Sequence, residues 1–224
     1  MNELLFFLHI MIVVFFTLSS LALGRNALVA VVCLQAVLAN FFVLKQISLF
    51  GLNVTCGNVF VVGSVLGLNL LQEYFGKSIT KKTIWISFFL LFFYLVMTQI
   101  HLLYIPNSYD NTQSLFSGLL GFMPRITIVS IFGYFVAQKT GYFLYGFLKK
   151  MFSENYLVLR NILTISSTQF LDTVLFTFFG LYGIVESVLN VMILSFVIKM
   201  VIILVSSPFV SFSKKIVNRF NQDL

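Results

Sequence analysis

The chain has 224 residues, of which 59% are hydrophobic and only 9% are charged, and its formal net charge is +7 at pH 7. Soluble domains carry about 25% charged residues, so this composition excludes a soluble globular protein and predicts a polytopic membrane protein. In a soluble protein the positive charge would suggest nucleic acid. Here the basic residues lie between apolar runs, where membrane orientation explains them and no nucleic-acid partner is expected.

Seven apolar runs are long enough to cross a hydrocarbon core of about 30 Å, which requires about 20 helical residues. They cover residues 4–23, 27–46, 57–75, 83–105, 114–137, 159–181 and 186–210. The first run has no basic residues before it and no small-residue cleavage site after it, which favours a retained helix over a signal peptide. Residues 1–224 are therefore predicted to form a single transmembrane domain, an all-α integral membrane helical bundle.

Basic residues predict the orientation of this bundle, because positively charged loops stay in the cytoplasm. If the N-terminus lies outside, eleven of the fourteen Lys and Arg residues fall on the cytoplasmic side. They are Arg25, Lys77, Lys81, Lys82, Lys139, Lys149, Lys150, Arg160, Lys214, Lys215 and Arg219. The opposite loops carry Glu3, Asp110 and Glu186 instead. We therefore predict an external N-terminus and a cytoplasmic C-terminus.

Three charged residues on three different helices lie far inside the predicted spans. Counted from the cytoplasmic basic residues at ~1.5 Å per residue, Asp172, Arg125 and Lys199 all lie roughly 18–22 Å deep. An ionised carboxylate in a membrane helix costs at least ~2.5–3.5 kcal/mol, so we expect Arg125 and Lys199 to reach Asp172 across the bundle interior. A purely structural ion pair is the alternative. Ionisable groups inside a membrane usually line a substrate or ion pathway, which favours the functional interpretation.

Other polar side chains are predicted to face the same interior. Asn69 and Glu73 are four residues apart on the third helix and share a face, and Gln169 precedes Asp172 by three residues. Asn40 lies within the second helix. Each of these can also be explained as an interhelical hydrogen bond that holds the bundle together. The spacing of Gly63 and Gly67 predicts close helix packing.

Several long segments carry a family resemblance. The stretches "LANFFVLKQISLFGLNVTCGNVFVVGSVLGLNLLQEYFGKSITKKTI", "MPRITIVSIFGYFVAQ", "RNILTISSTQFLDTVLF" and "FVIKMVIILVSSPF" resemble the queuosine precursor transporter family, formerly called the vitamin uptake family. The resemblance includes, in order, Asn40, residues 73–77, Arg125, Asp172 with Thr173, and Lys199. It implies a core of six helices plus an extra N-terminal transmembrane helix. In one respect the chain departs from the family, which usually has an aspartate where this chain has Asn69.

The resemblance implies import of a 7-deazaguanine base across the inner membrane of a bacterium, for making queuosine in tRNA. One carboxylate can accept two N–H groups from the guanine-like edge of such a base. We expect Asp172 first, and Glu73 next, to accept these groups, with Arg125 or Lys199 donating to the carbonyl oxygen. The supporting candidates are Gln169, Asn40 and Asn69. Queuine and its nitrile and aminomethyl precursors share this edge and differ at one ring substituent, so the exact base stays open.

Features of the sequence also bear on two other classes of protein. The chain has the size of a substrate-binding membrane subunit of an ATP-driven vitamin or nucleobase importer, but no helix shows the Ala-x-x-x-Ala spacing expected for docking the ATPase module. An enzyme is not expected, because Asp172 is the only deep aspartate and no Gly-x-Ser-x-Gly elbow occurs. We expect no cofactor and no metal. The expected partners are the base and the lipid bilayer, and a homodimer and the energy coupling are left open.

Overall fold

The computed structural model describes residues 1–42, 45–49, 52–121, 124–152, 156–180, 182, 188–206 and 213–214. The helices are α1 (Asn2–Ala22), α2 (Arg25–Phe42), α3 (Asn58–Leu102), the short α4 (Gln113–Phe116), α5 (Pro124–Met151), α6 (Leu157–Leu175) and α7 (Val188–Ser206). Two π-helical turns, Ser117–Gly121 and Phe176–Gly180, follow α4 and α6. This architecture confirms the predicted all-α bundle. Both predicted ends of the seventh helix, together with Glu186, Lys215 and Arg219, lie outside the described residues.

The helices have the length and composition of membrane spans. Within the described ranges, four helical stretches are long and apolar enough to cross a bilayer: α1, α2, α3 and residues Leu157–Gly180. Large apolar side chains such as Phe15, Phe89 and Phe143 are exposed on the outer surface of the bundle, as expected for a surface that faces lipid. The protein is a multi-pass membrane protein.

The helix α3 contains two membrane spans, because it folds back on itself at Gly76. Gly76 has φ +83° and ψ 172°, a backbone conformation that residues with a side chain rarely adopt. Val65 and Ile84 line the same crevice although 19 residues of straight helix would separate them by about 28 Å. The two arms of α3, residues 58–75 and 77–102, are therefore antiparallel. The predicted third and fourth helices correspond to these arms, while the polar break between them is itself helical.

The helix α5 is longer than the sequence predicts. We expected it to end at residue 137 and Lys139 to mark the cytoplasmic surface, but α5 continues to Met151. Lys139 lies within the helix, with its Nζ 5.1 Å from the ring centre of Trp85 and 5.2 Å from that of Phe135. Cation–π contact and the long apolar stem of lysine allow this placement inside an otherwise apolar run.

A small β-hairpin follows α2. The strands β1 (Gln46–Leu49) and β2 (Leu52–Thr55) pair antiparallel, with Ile47 opposite Val54. The sequence predicted helix up to residue 46, whereas α2 ends at Phe42. The hairpin lies beside the start of α1, where Asn2 Nδ2 donates to the backbone oxygen of Ser48 over 3.2 Å.

Two glycines on the first arm of α3 let α1 and α2 approach closely. A Cβ atom at Gly63 would lie 2.5 Å from Val13 Cγ1, and one at Gly67 would lie 2.5 Å from Val32 Cγ2. Both distances are shorter than any real Cβ contact, so only glycine fits. The predicted close packing at this spacing is confirmed, and it leaves the remaining faces of α3 free to meet α5, α6 and α7.

The helices α5 and α6 lie antiparallel, and their contacts give a depth scale for the site. Four contacts define the register: Arg125 with Phe179, Gly133 with Asp172, Gly141 with Thr168 and Thr164, and Tyr145 with Arg160. From Arg125 to Tyr145 the helix rises about 30 Å, the thickness of a hydrocarbon core. Asp172 lies about 12 Å from the level of Arg125 and about 18 Å from the level of Tyr145.

Candidate functional site

One face of α6 is polar along the whole depth of the bundle. Its residues repeat at intervals of three and four, which places them on one side of the helix. The buried polar residues on α6 and its following turn are Arg160, Asn161, Thr164, Thr168, Gln169, Thr173 and Thr177. In a membrane helix such a face turns inward, because lipid offers its polar atoms no partners. The α6 polar face is therefore the centre of the candidate site.

The ion pair predicted for Asp172 is present with Lys199. Lys199 Nζ on α7 donates to Asp172 Oδ2 over 2.6 Å. The side chains of Lys199 and Asp172 are only 6% and 13% exposed. Asp172 Oδ1 would lie 3.4 Å from a Cβ atom at Gly133, so the absence of a side chain there gives the carboxylate its room beside α5. The charge of Lys199 offsets the cost of keeping the Asp172 carboxylate near the middle of the membrane.

The expectation that Arg125 also reaches Asp172 is wrong. Arg125 Nη2 donates instead to the backbone oxygens of Phe179 and Tyr182, over 3.1 and 3.2 Å. The depth of Arg125 was counted from Lys139 as the membrane surface, but α5 extends well past Lys139. Arg125 consequently lies at the far end of the polar face, where it binds carbonyl groups at and after the π-helical turn that follows α6.

Glu73 lies in a second ion cluster at the opposite end of the polar face. Arg160 Nη2 donates to Glu73 Oε1 and Tyr145 Oη donates to Glu73 Oε2, both over 2.9 Å. Lys149 Nζ lies 3.3 Å from Glu73 Oε2 and donates to the Glu73 backbone oxygen. The Arg160 guanidinium also lies over the Tyr145 ring. Both carboxylate oxygens of Glu73 are thus bonded by the protein itself.

The count of basic residues predicts Arg160 and Lys149 at the cytoplasmic surface, whereas Arg160 is fully buried and Lys149 is one-third exposed. One signal could have shown the burial of Arg160. Arg160, Thr164, Thr168 and Asp172 follow each other at intervals of four on one helix, so each lies next to the one before it on the helix surface. This row leads from the deep aspartate to Arg160, and a buried arginine at its end needs a carboxylate partner such as Glu73.

Several buried atoms on the polar face have no hydrogen-bond partner within the described part of the chain. On α6 they are Gln169 Oε1 and Nε2, Asn161 Oδ1, Thr164 Oγ1 and Thr173 Oγ1, together with Arg160 Nε and Nη1. Facing helices contribute Asn69 Nδ2 and Gln138 Nε2. Buried polar atoms are normally bonded, since each one left unpaired is costly. This density of unused donors and acceptors is typical of a surface that binds a polar ligand.

Among the predicted site residues, Asn69 and Gln169 are buried on helices that meet at this interior. Asn40 is half-buried on α2, where its Nδ2 donates to Ala36 O within its own helix, and its Oδ1 is buried without a partner among the described residues. Gln138 was missed by the sequence analysis. It lies one residue before Lys139, which we took as the membrane surface, so it was read as part of a boundary.

Two concave regions border the bundle interior. A polar crevice of about 200 Å³, here called the interarm crevice, lies between the two arms of α3 and α5. Its polar lining consists of Asn69, Gln72, Thr80, Gln138 and Tyr142. A larger groove, about 1480 Å³ on the same measure, lies between α2 and the second arm of α3 and is lined mainly by apolar side chains such as Val37, Leu90 and Phe93. The larger groove does not include the polar face of α6.

The Asp172–Lys199 pair and the neighbouring polar atoms that lack hydrogen-bond partners among the described residues can bind a planar polar molecule. A ligand with two adjacent N–H groups can satisfy both oxygens of Asp172, and charge-assisted bonds of this kind are the strongest available to a neutral ligand. Lys199 can then donate to a carbonyl oxygen of the same ligand. Gln169, with both a free donor and a free acceptor on the turn next to Asp172, complements an amide-like edge.

Comparisons with known proteins identify related transporters. A family model described as "Putative vitamin uptake transporter" matches residues 55–213. A "Probable queuosine precursor transporter" from Bacillus subtilis (strain 168) is 30% identical over 198 residues, which cover 87% of this chain and 86% of that protein. No solved structure matches the chain. The match to the family model begins in β2 and covers both arms of α3, α5, α6 and α7, the helices that build the site.

Proposed function

Because this chain belongs to the queuosine precursor transporter family, we propose that it imports a 7-deazaguanine base for tRNA queuosine modification. The observation that carries the proposal is the buried polar face of α6. It spans the bundle, contains unused donors and acceptors, and holds the Asp172–Lys199 pair near the middle of the membrane. Intramembrane ionisable groups of this kind mark substrate pathways.

In this proposal Asp172 accepts the two N–H groups of the base, while Lys199 is released to donate to the carbonyl oxygen. Gln169 binds the remaining edge atoms, and aromatic rings nearby cover the planar face. Because substrate and Lys199 compete for one carboxylate, binding exchanges one set of charged contacts for another. Such an exchange lets the substrate shift the balance between two conformations of α6 and α7.

The charged groups at the two ends of the α6 polar face, Arg125 and the Glu73 cluster, would close the substrate path at its ends. Arg125 ties the start of α5 to the carbonyl groups at and after the end of α6, and Glu73 ties the first arm of α3 to α5 and α6. Passage of a base then requires one end to open while the other stays closed. Glu73 consequently helps to close the cytoplasmic end of the path. It can contact the substrate directly only after Arg160 has moved away.

The proposed location is the inner membrane of a bacterium, with the Arg160 end of the bundle in the cytoplasm. Lys77, Lys149 and Lys150 lie with Arg160 at this end, at the Gly76 bend or near the end of α5. Positively charged segments stay in the cytoplasm, and the opposite end presents the exposed loop with Asp110.

The test is uptake of a labelled 7-deazaguanine by a host that neither makes nor imports the base and that contains no ATPase partner for the chain. We expect uptake with the wild-type chain and a loss of about a hundredfold or more with Asp172→Asn, since charge-assisted bonds contribute several kcal/mol. Uptake is measured with the protein level in the membrane held equal. Running the assay with and without a proton gradient determines the coupling.

The matched control is Asp110→Asn, which makes the same chemical change in an exposed loop. Asp110 Oδ1 accepts from Thr112 N and Oγ1, and an asparagine keeps this acceptor, so normal uptake is expected. Normal uptake by Asp172→Asn would refute the role of the carboxylate. Uptake that appears only after an ATPase module is supplied would replace the carrier with a subunit of an ATP-driven importer.

A further inference from the structure

A long apolar groove runs along the outside of the bundle, away from the polar face of α6. It is the larger of the two concave regions, here called the outer groove, between α2 and the second arm of α3. Its lining follows one face of α2 between Asn26 and Phe41, and one face of the second arm between Ile86 and His101. The lining residue Leu34 is 56% exposed, so the outer groove opens sideways toward lipid.

The two helices that form the outer groove run in the same direction. The first arm of α3 is antiparallel to α2, since Gly63 lies against Gln35 and Gly67 lies further along the arm against Val32. The second arm is antiparallel to the first, because the helix folds back at Gly76. The start of α2 and the start of the second arm therefore lie at the same end of the groove.

Two basic residues lie at nearly the same level at this end. The contact between Cys33 Sγ and Ser87 Oγ, 3.3 Å, sets the register of the two helices. Arg25 lies eight residues before Cys33, and Lys82 lies five residues before Ser87. The difference of three residues places Arg25 and Lys82 within about 5 Å of each other along the helix axes.

Both basic side chains continue the lining of the outer groove. Lys82 lies one turn before the lining residue Ile86, and Arg25 Nε donates to Oδ1 of the lining residue Asn26 over 3.4 Å. Arg25 and Lys82 are exposed, and neither forms an ion pair with an acidic residue in the described part of the chain. Their charges are therefore available to an anion at the end of the groove.

An apolar groove with cations at one end complements an anion that carries a long apolar chain. From Asn26 to Phe41 the groove extends about 22 Å, which is more than half of a hydrocarbon core of about 30 Å. An acyl chain from one leaflet can therefore lie along the groove while its phosphate stays at the membrane surface beside Arg25 and Lys82. Basic pockets between membrane helices bind anionic lipid head groups in this way.

A second copy of the chain is a poorer occupant of the outer groove. In a two-fold dimer with its axis along the membrane normal, the same levels of the two copies face each other. Arg25 and Lys82 would then meet the same two cations of the other copy. No described acidic residue lines the groove to balance this repulsion.

We infer that the outer groove binds an anionic phospholipid, with the phosphate between Arg25 and Lys82 and one acyl chain along Leu34 and Leu90. This site lies outside the α6 polar face, and the inference does not depend on the identity of the transported molecule. It assigns a specific lipid to a surface that would otherwise contact any lipid of the bilayer.

Quenching of tryptophan fluorescence by brominated lipids tests the inference. Trp85 is the one tryptophan of the sequence, so Leu34→Trp in a Trp85→Phe background gives a single reporter in the outer groove. The matched reporter is Phe15→Trp in the same background, on the exposed surface of α1. Leu34 and Phe15 lie nine and ten residues from Arg25, so the two reporters have similar depths.

The full-length variants are placed in vesicles of phosphatidylcholine that contain brominated phosphatidylglycerol or brominated phosphatidylcholine with identical acyl chains. At Leu34→Trp we expect brominated phosphatidylglycerol to quench at about a tenfold lower mole fraction than brominated phosphatidylcholine, because the two cations attract its phosphate. At Phe15→Trp we expect the two lipids to quench equally.

Charge variants in the Leu34→Trp background assign the head group. Arg25→Gln and Lys82→Gln should each reduce the preference for phosphatidylglycerol about threefold or more, and the double variant should abolish it. The matched control is Lys150→Gln, which removes an exposed lysine in the last turn of α5, outside the lining of the groove. Its preference should equal that of the Leu34→Trp parent.

Four results would overturn the inference. The first is equal quenching by the two lipids at Leu34→Trp, and the second is a preference that survives the double charge variant. The third is weak quenching by both lipids at Leu34→Trp beside strong quenching at Phe15→Trp, since another molecule, such as a second copy, would then cover the groove. The fourth is loss of the preference when soluble glycerol phosphate is added, which would assign the site to a free phosphate.

Discussion

At the scale of single residues, Asp172 and Lys199 show how a membrane interior retains charge. Neither side chain is more than 13% exposed, and the 2.6 Å contact between them replaces the water that both have lost. Such a pair is a weak stabiliser in comparison with apolar side chains of similar volume. The presence of this ion pair in an otherwise apolar bundle is therefore explained more simply by a role in substrate binding than by a contribution to the stability of the fold.

A double variant separates these two roles. Lys199→Met leaves the Asp172 carboxylate buried without its partner, which should cost about 3–5 kcal/mol and lower the amount of folded protein in the membrane. Adding Asp172→Leu removes the unpaired charge, so the double variant should regain the thermal stability of the wild-type chain. Uptake of a labelled 7-deazaguanine should stay absent in the double variant. Thermal unfolding in detergent and uptake in cells measure the two properties independently.

One result with the double variant would contradict the proposed substrate contact. If the double variant folds and also transports at the wild-type rate, the pair serves only to hold α6 against α7. The proposed substrate contact at Asp172 would then have to be abandoned.

At the scale of elements, the bend of α3 decides which polar groups meet. Folding at Gly76 brings Asn69 and Gln72 on the first arm opposite Thr80 on the second, and it aims Glu73 at α5 and α6. On the first arm, the Ser64 hydroxyl oxygen also lies 2.9 Å from that of Tyr134 on α5. In a straight helix Asn69 and Thr80 would be separated by about 16 Å along the axis.

Gly76→Ala tests this bend. A Cβ atom at Gly76 meets nothing within 4 Å, so the substitution introduces backbone strain without a clash. At φ +83° an alanine should cost roughly 1–2 kcal/mol and lower the unfolding temperature by several degrees. Thermal unfolding of the purified protein, followed by circular dichroism, gives the measurement.

Gly118→Ala is the control for the bend. Gly118 also has open space for a Cβ atom, but its φ is not in the left-handed region. Alanine is the better residue in a helical turn, so this variant should be as stable as the wild-type chain or slightly more stable. Equal behaviour of the two variants would show that the conformation of Gly76 is not needed for the bend.

At the scale of the whole molecule, charge is arranged along the α6 polar face in three tiers. Arg125 lies at one end, the Asp172–Lys199 pair lies about 12 Å further in, and the Glu73 cluster lies about 18 Å beyond that. The basic residues near the Glu73 cluster give the bundle its polarity, which predicts that this end faces the cytoplasm.

Cysteine labelling of intact cells checks this orientation. In a background with Cys33→Ser and Cys56→Ser, a membrane-impermeant thiol reagent should label Asn107→Cys and not Lys81→Cys. Both positions are exposed, so the difference reports the side of the membrane. Labelling of Lys81→Cys alone, before the cells are opened, would reverse the proposed topology.

The sequence by itself determined the fold class, the family and the ion pair at the centre of the site. Membrane spans can be recognised by their continuous apolar composition, and a single aspartate deep in a span requires a cation at a similar depth. Those requirements are local to one helix or set by the thickness of the bilayer, so they can be counted along the chain. They led correctly from Asp172 to Lys199.

Only the tertiary structure decided where α5 ends and which residues share a level. The charge of Lys139 predicts the membrane surface, but Lys139 lies within α5, which continues to Met151, and its Nζ contacts the rings of Trp85 and Phe135. Because α5 extends past Lys139, Arg125 lies at the end of the α6 polar face and not at the level of Asp172. The packing of α6 against the first arm of α3 likewise brought Arg160 to Glu73, because pairing between helices depends on their relative shift, which no single helix encodes.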